Sequence, residues 1–224
     1  MKTSAKNHLI TRLALALIVQ LAGLSAWASI VTSSALLPQQ QYVSPTTWHA
    51  LYANGIYVKD FWHGEFTAGF APPTPGQSDT HSFGSTGRFK ASTDGGLSWA
   101  DFWAPAPATV SIAWDYADLD GTQHYKTEMT ALDAGGGSLP PGFMIRESPS
   151  KSSAGETTFK DLGDGMYRIS SFFDIWTEIS IDGGVNWSSA EDPIRMELVP
   201  EPSTWYGGFL LLAVALSAFR RVRR

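Results

Sequence analysis

The fold is decided by the stretch FDIWTEISIDGG, residues 173–184. Apolar or β-branched residues occupy every second position from Phe173 to Ile181 (Phe173, Ile175, Thr177, Ile179 and Ile181), a period that predicts one shared face of a β-strand. The Asp-Gly-Gly that follows is a strong signal for a hairpin turn, because glycine accepts the positive φ that tight turns need. The stretch therefore predicts an antiparallel strand that reverses direction at Asp182.

The same turn chemistry occurs earlier in the chain, where the pattern Ser-x-Asp-Gly-Gly-x-x-Trp of residues 180–187 is already present at residues 92–99. At the same offset, Pro105 matches Pro193. In each copy the Asp side chain can accept hydrogen bonds from the backbone that follows it, and the Trp is expected to fold back over the turn. The sequence predicts two equivalent hairpins in related halves of one domain. Their structural turn residues are Asp94, Gly95, Gly96 and Trp99 in the first copy and Asp182, Gly183, Gly184 and Trp187 in the second.

Short alternating runs separated by turn residues also fill the remainder of the body. Many short strands without helical periodicity favour a single antiparallel, β-sandwich-like domain over residues 29–198. The fold class is therefore all-β, with the domain placed between a cleavable N-terminal signal peptide and a C-terminal transmembrane helix. The other predicted strands are Arg88–Thr93, Thr109–Tyr116, Gln123–Leu132, Met166–Ser171 and Arg195–Val199.

The N-terminal 28 residues have the pattern of a secretory signal peptide. Three basic residues precede an apolar run over residues 13–24, and Ala26 and Ala28 then supply the small side chains that a signal peptidase pocket accepts. The predicted cut lies before Ser29. The alternative is an uncleaved membrane anchor, but the apolar run is too short to span a bilayer comfortably.

The C-terminal residues carry a second membrane signal. Residues 205–219 contain no charge, and the arginine cluster that follows consists of Arg220, Arg221, Arg223 and Arg224. Basic flanks stay in the cytoplasm, so this pattern predicts a helix that anchors residues 204–222 in the inner membrane with the body outside the cytoplasm. The alternative is a buried C-terminal helix, which would show polar residues at helical spacing.

Pro200, Glu201 and Pro202 stand directly before the apolar run. Triplet, apolar helix and arginine cluster together resemble the PEP-CTERM sorting signal of Gram-negative bacteria over residues 199–224. The resemblance implies recognition by an exosortase, removal of the anchor, and delivery to the cell surface or an exopolysaccharide matrix. Pro200, Glu201 and Pro202 would then be recognition residues. Residues 80–200 are similar to a group of PEP-CTERM proteins of unknown function, which implies a shared β domain and no named activity.

The two Asp-Gly-Gly octets also resemble the Asp-box of sialidases and related propellers. Ser98 and Asn186 stand where that motif usually has Thr. In those families the box is a structural hairpin, and two copies are too few for the blades of a propeller. The resemblance therefore supports a turn and no sialidase activity.

Charge and composition narrow the function classes. All but one of the 21 acidic side chains lie between residues 29 and 200, whereas seven of the 16 basic ones lie in the two ends. A body with a net charge of about −11 argues against nucleic acid as a partner. The chain has no cysteine, which excludes disulfides, thiolate metal sites and cysteine nucleophiles.

Three features of the sequence bear on ligand chemistry. Asp115, Asp118 and Asp120 look like half of a calcium loop, but a hairpin turn explains them without an ion. The body's histidines are isolated in sequence, so neither a metal nor a cofactor is expected. The aromatic-rich residues 48–70 could form a glycan-binding surface, although core packing is the commoner fate of such rings. The four histidines are His49, His63, His81 and His124.

These observations predict an exported, non-enzymatic protein of the cell envelope or extracellular matrix. Its expected partners are the inner membrane, signal peptidase, an exosortase and exopolysaccharide. Two alternatives stay open, a carbohydrate-binding module for exopolysaccharide and a hydrolase whose site the sequence does not reveal.

Overall fold

A computed structural model describes residues 40–45 and 49–199, together with the backbone of residues 29–32. Within these ranges the chain forms strands and turns and contains no α-helix, hence none that could cross a bilayer. Several predictions lie outside the described residues: the cleavage residues Ala26 and Ala28, the sorting motif at 200–202, the membrane span at 204–222 and the arginine cluster.

The described chain folds into fifteen β-strands. Their bounds are β1 Ser29–Thr32, β2 Gln41–Val43, β3 His49–Leu51, β4 Tyr57–Gly64, β5 Ser78–Phe83, β6 Thr86–Ser92, β7 Ala100–Pro105, β8 Ala108–Ala117, β9 Gln123–Gly135, β10 Met144–Glu147, β11 Ser153–Gly163, β12 Met166–Ile175, β13 Thr177–Ser180, β14 Ser188–Ser189 and β15 Ile194–Val199.

All strand pairs are antiparallel, and they join into one sheet in the order β14-β13-β10-β9-β11-β12-β15-β2-β4-β6-β7. β8 pairs with the opposite edge of β9 and carries β5, while β1 and β3 are short additions on β12 and β4. The prediction of an all-β antiparallel domain is confirmed. Its form is a strongly curved half-barrel sheet.

The sheet curves because two neighbouring strands turn a corner together. Only two residues separate β5 from β6, and only two separate β7 from β8. The Ala106 N–H donates to the Ser85 carbonyl at 2.8 Å, so the two connections are themselves paired. Across this corner the β6-β7 pair continues as the β5-β8 pair, and β8 in turn pairs with β9. The sheet thereby folds back over its own core.

The core lies on the inner, concave face of this sheet. Phe173, Ile175, Thr177 and Ile179 are all buried, as the alternation of the opening stretch predicts, but they lie on two strands, β12 and β13, that are separated at Trp176. Ile181 departs from that prediction, because it already belongs to the turn and is 59% exposed. In the first copy Thr93, the last residue of the predicted strand Arg88–Thr93, is also exposed and lies beyond the end of β6. In both hairpins the strand ends one residue before the alternating sequence pattern does.

The aromatic-rich stretch divides between the two faces of the sheet. Tyr52 is fully buried, and Phe61, Phe66 and Phe70 pack against the same core. Trp62 instead lies on the outer face, while Trp48 lies outside the described residues. Core packing, the commoner fate of such rings, thus accounts for most of this stretch.

The two ends of the body meet along one edge of β12. β1 pairs with β12 from Ser29↔Ile169 to Thr32↔Met166, and β15 pairs with it further along, at Phe172↔Glu197 to Ile175↔Ile194. β1 and β15 are both antiparallel to β12, so β15 runs toward the point where β1 begins. Residue 199 therefore leaves the sheet at the end opposite the Asp182 turn, which follows β13.

Candidate functional site

The first Asp-Gly-Gly segment is a turn closed by its own side chains. The Ser92 hydroxyl donates to Asp94 Oδ1 at 2.7 Å and accepts from the Gly96 N–H at 2.9 Å. The Ser98 N–H donates to Asp94 Oδ1 at 3.0 Å, and the Ser98 hydroxyl donates to Oδ2. The Trp99 indole N–H donates to the Gly96 carbonyl at 3.0 Å. Gly95 and Gly96 both have positive φ.

The second turn repeats this arrangement almost bond for bond. Ser180 donates to Asp182 at 2.8 Å and accepts from the Gly184 N–H at 2.9 Å. Asn186 donates its backbone N–H to Asp182 Oδ1 at 2.9 Å and its side-chain amide to Oδ2 at 2.7 Å. The Trp187 indole N–H donates to Gly184 O at 3.0 Å. Gly183 and Gly184 again supply positive φ.

The neighbouring strands repeat as well. In the first unit β4 pairs with β6 at Tyr57↔Ser92, and in the second β10 pairs with β13 at Met144↔Ser180. A cation on that neighbouring strand stacks on the turn Trp in each unit. The cations are Lys59, 4.0 Å from the Trp99 ring centroid, and Arg146, 3.9 Å from that of Trp187. The duplication seen in the sequence thus extends to a third strand.

The carboxylates of both turns are fully used by the turn. Hydrogen bonds from the side chains of Ser98 and Ser92 hold the pKa of Asp94 well below its usual range. Hydrogen bonds from the Asn186 backbone and side chain lower the pKa of Asp182 to about 2. Within the described part of the chain, no group of His, Asp and Glu side chains is arranged to hold a metal ion. Both Asp residues therefore act as turn acceptors.

The half calcium loop is also occupied by protein partners. Asp118 binds His124 Nε2 at 2.9 Å, Asp120 forms an ion pair with Lys160, and Asp115 accepts from Lys126 at 3.0 Å. Asp120 also accepts the Thr122 N–H, which makes this segment a hairpin turn between β8 and β9. The hairpin interpretation of these residues accounts for each of the three side chains.

The body's histidines lie apart from one another. His63 is buried at the β5-β6 corner, where its Nε2 lies 2.6 Å from Ser85 Oγ, and burial lowers its pKa to about 4. His124 lies between Asp118 and Glu156, and its hydrogen bond with Asp118 raises its pKa. His81 stacks on Phe70 with ring centroids 3.7 Å apart, and the exposed His49 lies 6.1 Å from the Tyr57 ring.

Space for a ligand lies on the outer face of the sheet. Within the described chain, two cavities in the core hold only about 30 and 40 Å³ each. That is room for roughly one water molecule. Two open grooves of about 570 Å³ each cross the outer face. We call them the histidine groove, on β8, β9, β11 and β12, and the tryptophan groove, on β4, β6 and β7.

The histidine groove is polar and has its rings covered. Tyr116 lies parallel to His124 with ring centroids 4.2 Å apart, and the Arg195 guanidinium lies 3.4 Å from the Phe172 centroid. Lys126 and Glu156 stand opposite each other on adjacent strands along the groove. The exposed Tyr116 ring and the Phe172 ring of this groove thus each have a stacking partner within the protein.

The tryptophan groove is built on a distorted part of the sheet. The β4-β6 register shifts between Lys59 and Trp62, and Asp60 within this bulge has φ 52°. Glu65, just past the end of β4, has φ 56°. Among the described residues only one other non-glycine residue, Asp164, has a positive φ. Such a conformation costs about 1 kcal/mol or more per residue and is concentrated at functional sites.

The two strained residues direct their carboxylates at the cations of the groove. Asp60 lies 3.2 Å from Lys90 Nζ, and Glu65 forms an ion pair with Arg88. Arg88 also stacks on Trp62, at 4.3 Å from the ring centroid. All four charged side chains remain between one third and just over one half exposed, so their polar atoms are open to solvent within the groove.

Trp103 forms one wall of this groove and is held from behind. The backbone N–H of Trp103 donates to Ser138 Oγ at 2.8 Å, and the backbone carbonyl of Trp103 accepts the Ser138 N–H at 2.9 Å. Gly137, at φ 59°, lies so close that a Cβ there would be 2.4 Å from the Trp103 carbonyl oxygen and 3.1 Å from its ring. The ring is nevertheless 50% exposed, and no stacking partner covers it within the described part of the chain.

Comparison with known proteins finds no matching family model, no matching curated protein and no matching solved structure.

The predictions from the sequence do not include the tryptophan groove, although the sequence contains one signal for it. In β7, Phe102 and Ala104 alternate with Asp101 and Trp103, a pattern that places Trp103 on the outer face. The bulge and the positive φ of Asp60 and Glu65 have no such signal, because aspartate and glutamate occur more often with negative φ.

Proposed function

We propose that this chain is an exported, non-enzymatic protein of the cell envelope or extracellular matrix, sorted through a PEP-CTERM signal. The observation that carries the proposal is the order of features after β15: Pro200-Glu201-Pro202, an uncharged run, and the arginine cluster. Signal peptidase would cut before Ser29, and an exosortase would release the body from the inner membrane. Nucleic acid is no partner of the acidic body.

The geometry of the described domain supports this route. Residue 199 ends β15 on the side of the sheet away from the Asp182 turn. The ladder from β15 through β2 and β4 to β6 places the Asp94 turn at that far end too. A chain leaving at residue 199 thus keeps both turns away from the membrane. In this proposal the curved sheet is a sandwich-like unit, with two walls facing each other across the core.

The sorting proposal predicts a change in mass. The full-length chain is expressed in a Gram-negative host with and without an exosortase, and the intact mass of the purified protein is measured. We expect the product to lose residues 1–28 in both cases and to lose the anchor only with the enzyme. A mass that still ends at Arg224 in the presence of the exosortase contradicts the proposal. Replacement of Glu201 by Ala is the matched control, and it should keep the anchor.

A second candidate function is carbohydrate binding, and the open grooves of the outer face favour it. Sugar-binding sites use exposed aromatic faces together with charged side chains that accept and donate hydrogen bonds. Both kinds of group occur in the tryptophan groove. A glycan array probed with the full-length chain tests this function, and a blank array across matrix polysaccharides would contradict it. The third alternative, a hydrolase, has no particular observation in its favour.

A further inference from the structure

We infer that the tryptophan groove is a binding site for a neutral, hexose-based polysaccharide, with Trp103 as the stacking platform. This inference rests on the carbohydrate-binding function proposed above and assigns it a place and a ligand class. It does not depend on the sorting route. Three observations carry it. The exposed indole of Trp103 stands on a hydrogen-bonded backbone, two carboxylates are placed by residues with positive φ, and the groove has a negative charge balance.

The indole of Trp103 is already positioned for stacking. Ser138 fixes the backbone of Trp103 through a hydrogen bond in each direction, and the ring lies so close to Gly137 that a Cβ at that position would be 3.1 Å from it. A platform whose backbone is ordered before the ligand arrives loses less entropy on binding than one on a mobile loop. The C–H face of a pyranose can therefore lie against the exposed half of the indole, where it replaces water.

The polar groups beside Trp103 suit the hydroxyls of a sugar. Arg88 is the register partner of Trp103, and Lys90 is the register partner of Asp101, so charged groups line the groove at the spacing of adjacent strands. Asp60 and Glu65 supply carboxylate oxygens, and Lys90 and Arg88 supply N–H donors. A carboxylate can accept from two neighbouring hydroxyls at once, while the cations donate to ring and hydroxyl oxygens.

Charge selects a neutral sugar over an acidic one. The two cations of the groove are already paired with Asp60 and Glu65, and Asp101 adds a further negative charge. A uronate or a sulfated sugar would thus meet a groove that is negative overall, on a body that is itself strongly acidic. A neutral hexose carries no such penalty and can use every donor and acceptor in the groove.

The histidine groove has the same size but lacks a free platform. Its Tyr116 ring is stacked on His124, and its Phe172 ring is covered by Arg195. Tyr116 is 47% exposed, close to the 50% of Trp103, so the two residues differ in ring coverage more than in accessibility. They are therefore a matched pair for substitution.

The test uses the full-length chain in mild detergent, run in native gels cast with a neutral glucan, a neutral galactan, a neutral mannan, or alginate. We expect at least one neutral polymer to retard the chain and alginate to have no effect. Trp103→Ala should weaken the apparent affinity at least tenfold, and Tyr116→Ala should change it less than twofold. The far-ultraviolet circular dichroism of both variants should match that of the parent chain.

A second variant keeps the test independent of the indole. Asp60→Asn retains a residue type that tolerates positive φ and removes only the charge, so we expect the fold to persist and the affinity to fall about threefold to tenfold. Retention by alginate alone, no retention by any neutral polymer, or equal losses in Trp103→Ala and Tyr116→Ala would each overturn the inference. The mass measurement of the C-terminus would still decide the sorting proposal separately.

Discussion

The two Asp-Gly-Gly hairpins share their turn chemistry but differ in what surrounds them. In both, a serine, an aspartate and a tryptophan close the turn through equivalent hydrogen bonds. The first hairpin continues into β7, six residues long, whose outer face carries Trp103 into an open groove. The second continues into β14, which is only two residues long.

The same position also meets a different environment in each unit. Lys90 of the first hairpin pairs with Asp60 on the surface, and both side chains are more than one third exposed. Its counterpart in the second, Glu178, has a side chain only 10% exposed, and Arg146 binds it through both Nε and Nη2 at 3.0 and 2.7 Å. The local sequence thus determines the conformation of the turn. Strands that are distant in sequence determine whether the charged side chain beside the turn is buried and so contributes to stability.

Glu178→Ala should cause the largest loss of stability, because it leaves a partly buried Arg146 without its carboxylate partner. The Ser148 and Ser189 hydroxyls would lose their acceptor as well. Removing one member of a buried ion pair costs about 4 kcal/mol. Urea denaturation of residues 29–199 should therefore show a clear drop in the midpoint of unfolding.

The matched control is Lys90→Ala in the first hairpin. An exposed pair of this kind contributes about 0–1 kcal/mol, so the midpoint should shift little. Equal losses in the two variants would refute the view that the units differ in buried charge.

Between pH 8 and 4, His63 of the first unit and Glu147 of the second should respond to acid in opposite directions, and His63 should dominate. The unfolded chain protonates this histidine near pH 6.5, whereas burial lowers the pKa of the folded form to about 4. The neutral ring therefore contributes stability that is full above pH 6.5 and is lost as the pH falls toward 4. The expected loss is about 3 kcal/mol. Denaturation between pH 8 and 4 measures it, and His63→Gln should flatten this decline whatever its own stability at pH 8.

The opposing group in the second unit is Glu147. Burial raises its pKa, so its contribution is full below its unfolded value of 4.5 and is lost as the pH rises through the folded value. Glu147→Gln keeps an acceptor for the Ser153 hydroxyl and removes the charge. We expect this variant to be more stable than the parent at pH 7 and to lose stability more steeply on acidification. A shallower decline would contradict this assignment.

Local chemistry explains why part of the fold could be predicted from the sequence. The strands at Thr109–Tyr116, Gln123–Leu132 and Arg195–Val199 are found within one to three residues, because each has a two-residue period. Strands such as β5, with its exposed Ser78, Asp79 and Thr80, lack that period. β5 is held by its pairing with β8, which no local pattern encodes.

The outer grooves could not be predicted for a similar reason. A groove on a sheet depends on which strands become neighbours and on how strongly the sheet twists, and both follow from long-range pairing. β6 pairs with β4, while β5, which lies between them in the sequence, pairs with β8, so Trp62, Arg88 and Trp103 come together from three separated segments. Buried Glu178 was hidden too, since every residue of β13 is buried and the alternation of that strand gives no sign of it.

Removal of either turn aspartate should lower the stability of the domain moderately and by a similar amount. Asp94→Ala deletes the acceptor for Ser92, Leu97 and Ser98, and Asp182→Ala deletes the acceptor for Ser180 and Asn186. We expect each variant to lower the melting temperature by a few degrees, because unpaired turn donors must then be satisfied by water. Calorimetry on residues 29–199 measures the shift. A large difference between the two variants would show that the turns are not equivalent.

The smallest loss of stability should come from exchanging Ser98 and Asn186, the differing pair of residues whose side chains take part in the hydrogen bonds of the turns. Ser98 and Asn186 both donate a side-chain hydrogen bond to Oδ2 of the turn aspartate and a backbone N–H to Oδ1. Ser98→Asn and Asn186→Ser should therefore each change the free energy of unfolding by less than about 0.5 kcal/mol, as is usual for surface exchanges that preserve a contact. The double exchange should equal the sum of the two within error, since the turns share no partner. If either exchange costs as much as loss of the aspartate, the side-chain donor does more than complete the turn, and the hairpins differ locally as well as in their surroundings.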